Sequence, residues 1–240
     1  AIGSNTDWLD AQEFLEHKGF LTVSHDLYYY LNGQSCGFNQ FTEAFIKEVD
    51  SEQKNDKSHN LLGYSLGGRL ALHALLVSPS MWNRAVIVSA HTGIGEQEVV
   101  ARLERIKSDL AWADLADDVA ISWSDFLTSW NQQSVLSSNQ ALNWSDRNAL
   151  EPMRHHVANS FRSWSLGLQE DLLEKMGELT LPILWIVGED DPKFLEIARK
   201  ATEILPNGKL HIVKNTGHRV PWQQPEEFHS LISEWFKNST

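Results

Sequence analysis

Leu61-Leu62-Gly63-Tyr64-Ser65-Leu66-Gly67-Gly68-Arg69 carries the strongest signal in this 240-residue chain. Residues 63–67 form a G-x-S-x-G motif. Asn60-Leu61-Leu62 before it has the character of a buried strand end. Leu66, Leu70, Ala71 and Ala74 after it recur at helical spacing. A serine on a sharp strand-to-helix turn has its hydroxyl pushed out of the fold, and the crowding there demands small neighbours. The Leu66 N–H would then face a reacting oxygen at the positive end of the following helix.

Outward from this turn, short apolar runs alternate with helical patterns, which predicts an α/β fold with a doubly wound, mostly parallel sheet and helices on both faces. The expected strands are Leu21–Ser24, Asn60–Leu62, Ala85–Val88, Pro182–Val187 and Leu210–Val213. Phe194, Ile197, Ala198, Ala201, Ile204 and Leu205 mark a helix between the last two. Phe228, Leu231, Ile232, Trp235 and Phe236 mark a terminal one. Residues 93–178 carry no clear strand. They are helical in pattern and contain Trp112, Trp123, Trp130, Trp144 and Trp164, with Trp123, Phe126, Leu127 and Trp130 on one helical face. The expected organisation is a core of residues 1–92 and 179–240 with a helical cap, 93–178, inserted in it.

The net charge of −12 disfavours nucleic acid and anionic membrane as partners. No run reaches the length of a membrane span, and no secretory signal is evident. Cys36 is the single cysteine, so no internal disulfide can form, which fits a reducing cytoplasmic setting. The expected state is a monomer or weak homo-oligomer.

A nucleophilic or proton-carrying serine needs an adjacent base, and the base needs an orienting acid. On this kind of turn they follow in chain order serine, acid, histidine. Gly188-Glu189-Asp190-Asp191-Pro192 ends the fourth expected strand and offers three acids. The same segment also reads as a helix N-cap before Pro192. Asn215-Thr216-Gly217-His218 follows the last strand and puts His218 in the base position. His17, His59, His73, His211 and His229 lack that placement. His155-His156 has no third ligand at zinc spacing, and no metal or organic cofactor is implied.

With these residues in place, the chain resembles the α/β-hydrolase superfamily. More narrowly, it resembles the 2-succinyl-6-hydroxy-2,4-cyclohexadiene-1-carboxylate synthases of menaquinone biosynthesis. Gly63–Arg69 is similar to that family's elbow. Glu104-Arg105, with Asp109 and Trp112, resembles its first cap helix. Ser129-Trp130-Asn131-Gln132-Gln133-Ser134-Val135-Leu136 resembles its W-Y-x-Q-P-[LV]-F segment, and Arg154 stands where the family has a cap arginine. Gly188–Phe194 resembles its G-E-x-D-x-K-F turn, which favours Asp191 as the acid over Asp190.

The resemblance implies a lyase rather than an ester hydrolase, removing pyruvate from an enolpyruvyl-substituted cyclohexene that bears several carboxylates. Ser65, Asp191 and His218 would be catalytic, with Leu66 and Ala1 supplying oxyanion-hole N–H groups. Tyr64, Arg69, Arg105, Trp130 and Arg154 would contact the substrate, the arginines as planar forks for carboxylates.

The chain departs from the family pattern in three places. The family has a strand and a His-Gly pair ahead of the position where this chain starts, so Ala1-Ile2-Gly3-Ser4 reads as the start of a fragment or trimmed chain lacking N-terminal strands. Asp26–Ser35, with Tyr28-Tyr29-Tyr30, replaces a Pro-Gly turn. Asn131 and Ser134 replace a tyrosine and a proline. Two other functions share the same site: a small-molecule carboxylic ester hydrolase, and a catalytically poor member whose cap only binds a ligand.

Overall fold

A computed structural model describes residues 2–31, 36–51, 59–136 and 145–237. Its centre is a parallel sheet of four strands, β1 (His59–Tyr64), β2 (Trp82–Val88), β3 (Ile183–Gly188) and β4 (Gly208–Val213), in the order β1-β2-β3-β4. Leu61 stands opposite Ala85, Val86 opposite Leu184, and Ile186 opposite His211. The pleat sends alternate residues to opposite faces. Leu61, Ala85, Ile87, Ile183, Trp185 and Val187 enter one apolar cluster, whereas Val86, Val88, Leu184, Ile186 and Val213 enter the other. Burial on both sides is why these strands read as continuous apolar runs.

Helices cover the two faces. Phe41 and Phe45 from α2 (Phe38–Ser51) and Leu70, Ala71 and Ala74 from α3 (Leu66–Val77) pack into the first cluster. On the other face, α1 (Leu9–His17) contributes Leu15. Among the described residues, three α-helices lie between β2 and β3: α4 (Val99–Asp117), α5 (Trp123–Asn131) and α6 (Arg154–Ser163). Then come α7 (Pro192–Ile204), α8 (Val220–Gln223) and α9 (Pro225–Lys237). The last lays Phe228, Ile232 and Trp235 on the second cluster at intervals of four and three residues. Trp185 and Phe228 are wholly buried, and each such side chain contributes about 1.5–3 kcal/mol relative to exposure.

The turn between β1 and α3 depends on its glycines. A Cβ on Gly63 would lie 2.6 Å from the Gly67 carbonyl oxygen, and one on Gly68 would lie 2.7 Å from the Ala90 Cβ. Gly68→Ala would therefore push α3 away from the segment after β2. Ser65 between them holds φ 49° and ψ −111°. Such backbone strain in a non-glycine residue costs on the order of 1–3 kcal/mol. The Ser65 N–H donating to the Val88 carbonyl at 2.8 Å holds it in place.

The sheet differs from expectation at its first position. Leu21–Ser24 forms no strand; Leu21 is 96% exposed and Val23 58%. Among the described residues β1 pairs only with β2, so this segment has no neighbouring ladder to join. Side chains hold it instead, through Thr22 Oγ1 donating to Glu16 and Ser24 Oγ to the Asn5 carbonyl. The tyrosine run falls in a short 3-10 turn, Leu27–Leu31. Tyr28 is buried and the Tyr30 hydroxyl donates to Glu48 at 2.5 Å.

The expected face of α5 is present: Trp123, Phe126 and Leu127 are buried. Trp130 packs edge-on against Trp112 and Phe161, both at 5.1 Å. Trp144 lies outside the described residues. Among the described residues no helix is long and apolar enough to cross a membrane.

Candidate active site

Parallel strands all end at one edge of their sheet, and loops from different strands meet there. Ser65 follows β1, Asp191 follows β3 and His218 follows β4. Asp191 takes the N-cap position of α7 ahead of Pro192, as the alternative reading of this segment anticipated. Its side chain makes no capping bond, however. The carboxylate turns instead to His218, whose Nδ1 lies 2.8 Å from Oδ2.

An ionised carboxylate can only accept, so Nδ1 carries the hydrogen and Nε2 is left as an acceptor. The Ser65 hydroxyl donates to that Nε2 at 3.1 Å. The three groups thus form one hydrogen-bonded series, with His218 and Asp191 both about 5% exposed. Glu189 and Asp190 are exposed. Their N–H groups bond the carbonyls of Val213 and Thr216, and the Glu189 carboxylate accepts from the Asn215 N–H. These contacts stitch the acid turn to the histidine loop. Gln223 accepts from the Gly217 N–H at 2.8 Å, and the His218 ring is flanked by Phe194 and Tyr64 at 4.4 and 5.6 Å.

Such a series can take a proton from a substrate carbon or activate the serine oxygen for attack. Leu66 is the first residue of α3, and N–H groups of a first helical turn lack intrahelical partners. Ala1 lies outside the described residues. No group of three His, Cys, Asp or Glu side chains able to hold a metal occurs among the described residues.

Ser65 and His218 line a long cleft of about 1610 Å³ that runs past β1 as far as α1 and α9; Tyr64, Arg69, Arg105 and Trp130 are among its lining residues. The three arginines named from the sequence sit differently. Arg105 reaches the cavity from α4, with Nε donating to buried Asp109 at 2.8 Å and the side chain 37% exposed. Arg69 is 8% exposed. It donates to the Gln169 side chain at 2.5 Å and the Trp164 carbonyl at 2.7 Å, tying α3 to the helical segment. Burial, with Arg105 nearby, lowers its pKa to about 9.

Arg154 is directed elsewhere in this structure. It is not on the cavity wall; its guanidinium donates to the carbonyls of Ala116, Asp118 and Ile121. The end of α4 leaves carbonyls without helical partners, and a cation is favoured there.

Three cavity groups were not singled out from sequence. Arg219, next to His218, donates to Asn131 of α5 at 2.7 Å. His91 lies just past β2, and Lys193 at the start of α7. The signal for His91 was available, because a residue beyond a parallel strand's C-terminal end points to a ligand crevice. Three of the other named histidines have partners of their own. His73 stacks on Phe38 inside the core, His155 pairs with Asp117, and His211 pairs with Glu227.

Comparison with known proteins bears on the fold and the family. The sequence matches the Alpha/beta hydrolase family over residues 4–231. It is 32% identical over 170 residues to 2-succinyl-6-hydroxy-2,4-cyclohexadiene-1-carboxylate synthase of Salmonella arizonae, covering 69% of this chain and 63% of that protein. A Bacillus subtilis protein provisionally given the same name is 32% identical over 73% of this chain and 64% of its own length. The chain thus spans just under two thirds of these relatives. Among solved structures, MenH from S. aureus superposes with a TM-score of 0.81 at 24% identity, covering 98% of this chain and 90% of that one. Carboxylesterase CesB from Bacillus subtilis superposes with a TM-score of 0.73 at 19% identity, covering 100% of this chain and 82% of that one. At those identities the superpositions establish the fold.

Proposed function

This chain belongs to the alpha/beta hydrolase family, and from that premise we propose that it eliminates pyruvate from 2-succinyl-5-enolpyruvyl-6-hydroxy-3-cyclohexene-1-carboxylate. The product is 2-succinyl-6-hydroxy-2,4-cyclohexadiene-1-carboxylate, and the setting is cytoplasmic menaquinone biosynthesis. The observation that carries the reading is the Ser65–His218–Asp191 series opening on a cavity wall that holds the Arg105 guanidinium. The names of the sequence relatives support the same reaction.

In this reading, His218 draws the hydrogen of Ser65, and the pair removes the proton from the ring carbon beside the succinyl ketone. The ketone oxygen takes up the charge and is held by the Leu66 N–H at the start of α3. The electron pair then returns through the ring double bond, forming the diene and breaking the ring carbon–oxygen bond. The leaving enolpyruvate takes a proton and becomes pyruvate. Asp191 keeps the His218 tautomer and offsets its positive charge. Arg105 and Trp130 hold the substrate, Tyr64 shapes the wall beside His218, and Arg69 presents its charge from behind. Residues 93–178 act as a cap over a core of residues 1–92 and 179–240.

The test is a pyruvate-release assay on the enolpyruvyl substrate beside turnover of a p-nitrophenyl ester. Rapid pyruvate formation with feeble ester turnover is expected. Brisk ester cleavage with no pyruvate would replace this reading with a carboxylic ester hydrolase.

A further inference from the structure

The cavity lined by the serine contains more donors than the reaction above uses. The His91 ring Nδ1 accepts the Gly93 N–H at 3.1 Å. A neutral imidazole that accepts at one nitrogen carries its hydrogen on the other, so Nε2 is a donor. No acceptor among the described residues takes that hydrogen, and the ring lines the cavity. Its position is set firmly. Phe194 meets the ring edge-on at 6.3 Å, and Gln169, itself held by Arg69, donates to the His91 carbonyl.

Lys193 lines the same cavity from α7. Although its side chain is exposed, surrounding protein and the Arg105 cation lower its pKa, with Asp191 opposing. His91 is pushed down to about 3 by burial and by Lys193, Arg69 and Arg105. His91, Lys193 and Arg105 line one cavity, and Phe194, the residue after Lys193, meets the His91 ring, in a chain whose net charge is −12. Gathering cations costs repulsion that an anion between them would relieve.

The geometry points to a carboxylate-binding subsite formed by His91 Nε2–H, the Lys193 ammonium and the free edge of the Arg105 guanidinium, with His91 as the donor that fixes the carboxylate's orientation. The subsite deepens the proposed reaction, which it rests on, by assigning which groups grip one carboxylate arm. Because His91 stays uncharged through the neutral range, its contribution does not switch off as pH rises from 5 to 8.

The test reads binding without chemistry. Trp112 and Trp130 line the cavity, so tryptophan fluorescence can follow titration with succinate, and with the uncharged succinamide, at fixed ionic strength. The wild-type protein should bind succinate and not succinamide. His91→Asn keeps an oxygen for the Gly93 N–H but loses the cavity donor, and should weaken succinate about tenfold. His91→Gln, whose longer amide reaches the Nε2 position, should stay within about threefold. Lys193→Met should lose about tenfold or more. Unchanged succinate affinity in both His91→Asn and Lys193→Met, with Tm near wild type, would overturn the subsite. So would equal binding of succinate and succinamide by the wild type. Absence of pyruvate release with this pattern intact would instead overturn the reaction and leave the carboxylate subsite standing.

Discussion

The end of the sheet and the helices around it hold polar groups in contrasting ways. Ser65, Asp191 and His218 are placed by backbone: a strained turn, an N-cap before a proline, and loops stitched to each other by main-chain bonds. The arginines on the helices, Arg69 on α3, Arg105 on α4 and Arg154 at the start of α6, are placed by whichever acceptors lie nearby. Arg69 spends its donors on Gln169 and Trp164, Arg154 spends its own on the end of α4, and Arg105 keeps an edge toward the cavity. Motifs bound to backbone geometry fix where a side chain goes. A cation on a helix declares its charge but not its partner.

The largest separation between the two regions should come from the acid turn. His218→Ala should lower turnover by about 10³-fold or more, as should Asp191→Asn, while Asp190→Asn leaves it within about twofold. Steady-state pyruvate release checks this. Equal losses at Asp190 and Asp191 would break the claim that backbone geometry selects one acid.

A second expectation concerns pH and stability. His73 is buried against Phe38 in the core, and burial, with Arg69 nearby, lowers its pKa to about 4. Below about pH 6.5 the unfolded chain takes up a proton that the folded chain refuses. Stability should therefore fall as pH drops from about 6.5 to about 4, by on the order of 3 kcal/mol at most from this residue. Denaturant melts at stepped pH would show it, and His73→Leu should flatten that limb.

The helical half supplies the smaller effects. Arg105→Ala should raise KM for the enolpyruvyl substrate about 10- to 100-fold with a lesser change in kcat. Arg154→Ala should leave KM alone and cost about 1–3 kcal/mol of stability, since three carbonyls lose their donor. Thermal melts beside kinetics separate the two; a KM effect at Arg154 would return it to the cavity.

Much of the fold was legible because apolar runs bounded by turns have few alternatives. β1, β2, β3 and β4 lie where Leu61, Val86, Ile183–Val187 and Leu210–Val213 predicted. The Leu21–Ser24 run misled because β propensity describes a segment, whereas a strand also requires a neighbour to pair with. Ser65 and His218 could be read from local sequence. Asp191 required a family likeness, since three successive acids look alike until the turn decides which one points inward. The place of His91 just past β2 could have been read from sequence, but its bond to Gly93 and its sharing of the cavity with Lys193 have no sequence signature.

Pyruvate release by Ser65→Ala, measured beside the unaltered protein, bears most directly on the hydrogen-bonded series as the agent of proton transfer. Loss by about 10³-fold with an unshifted Tm is the predicted outcome. Elimination continuing at the unaltered rate would show that the proton leaves by another route.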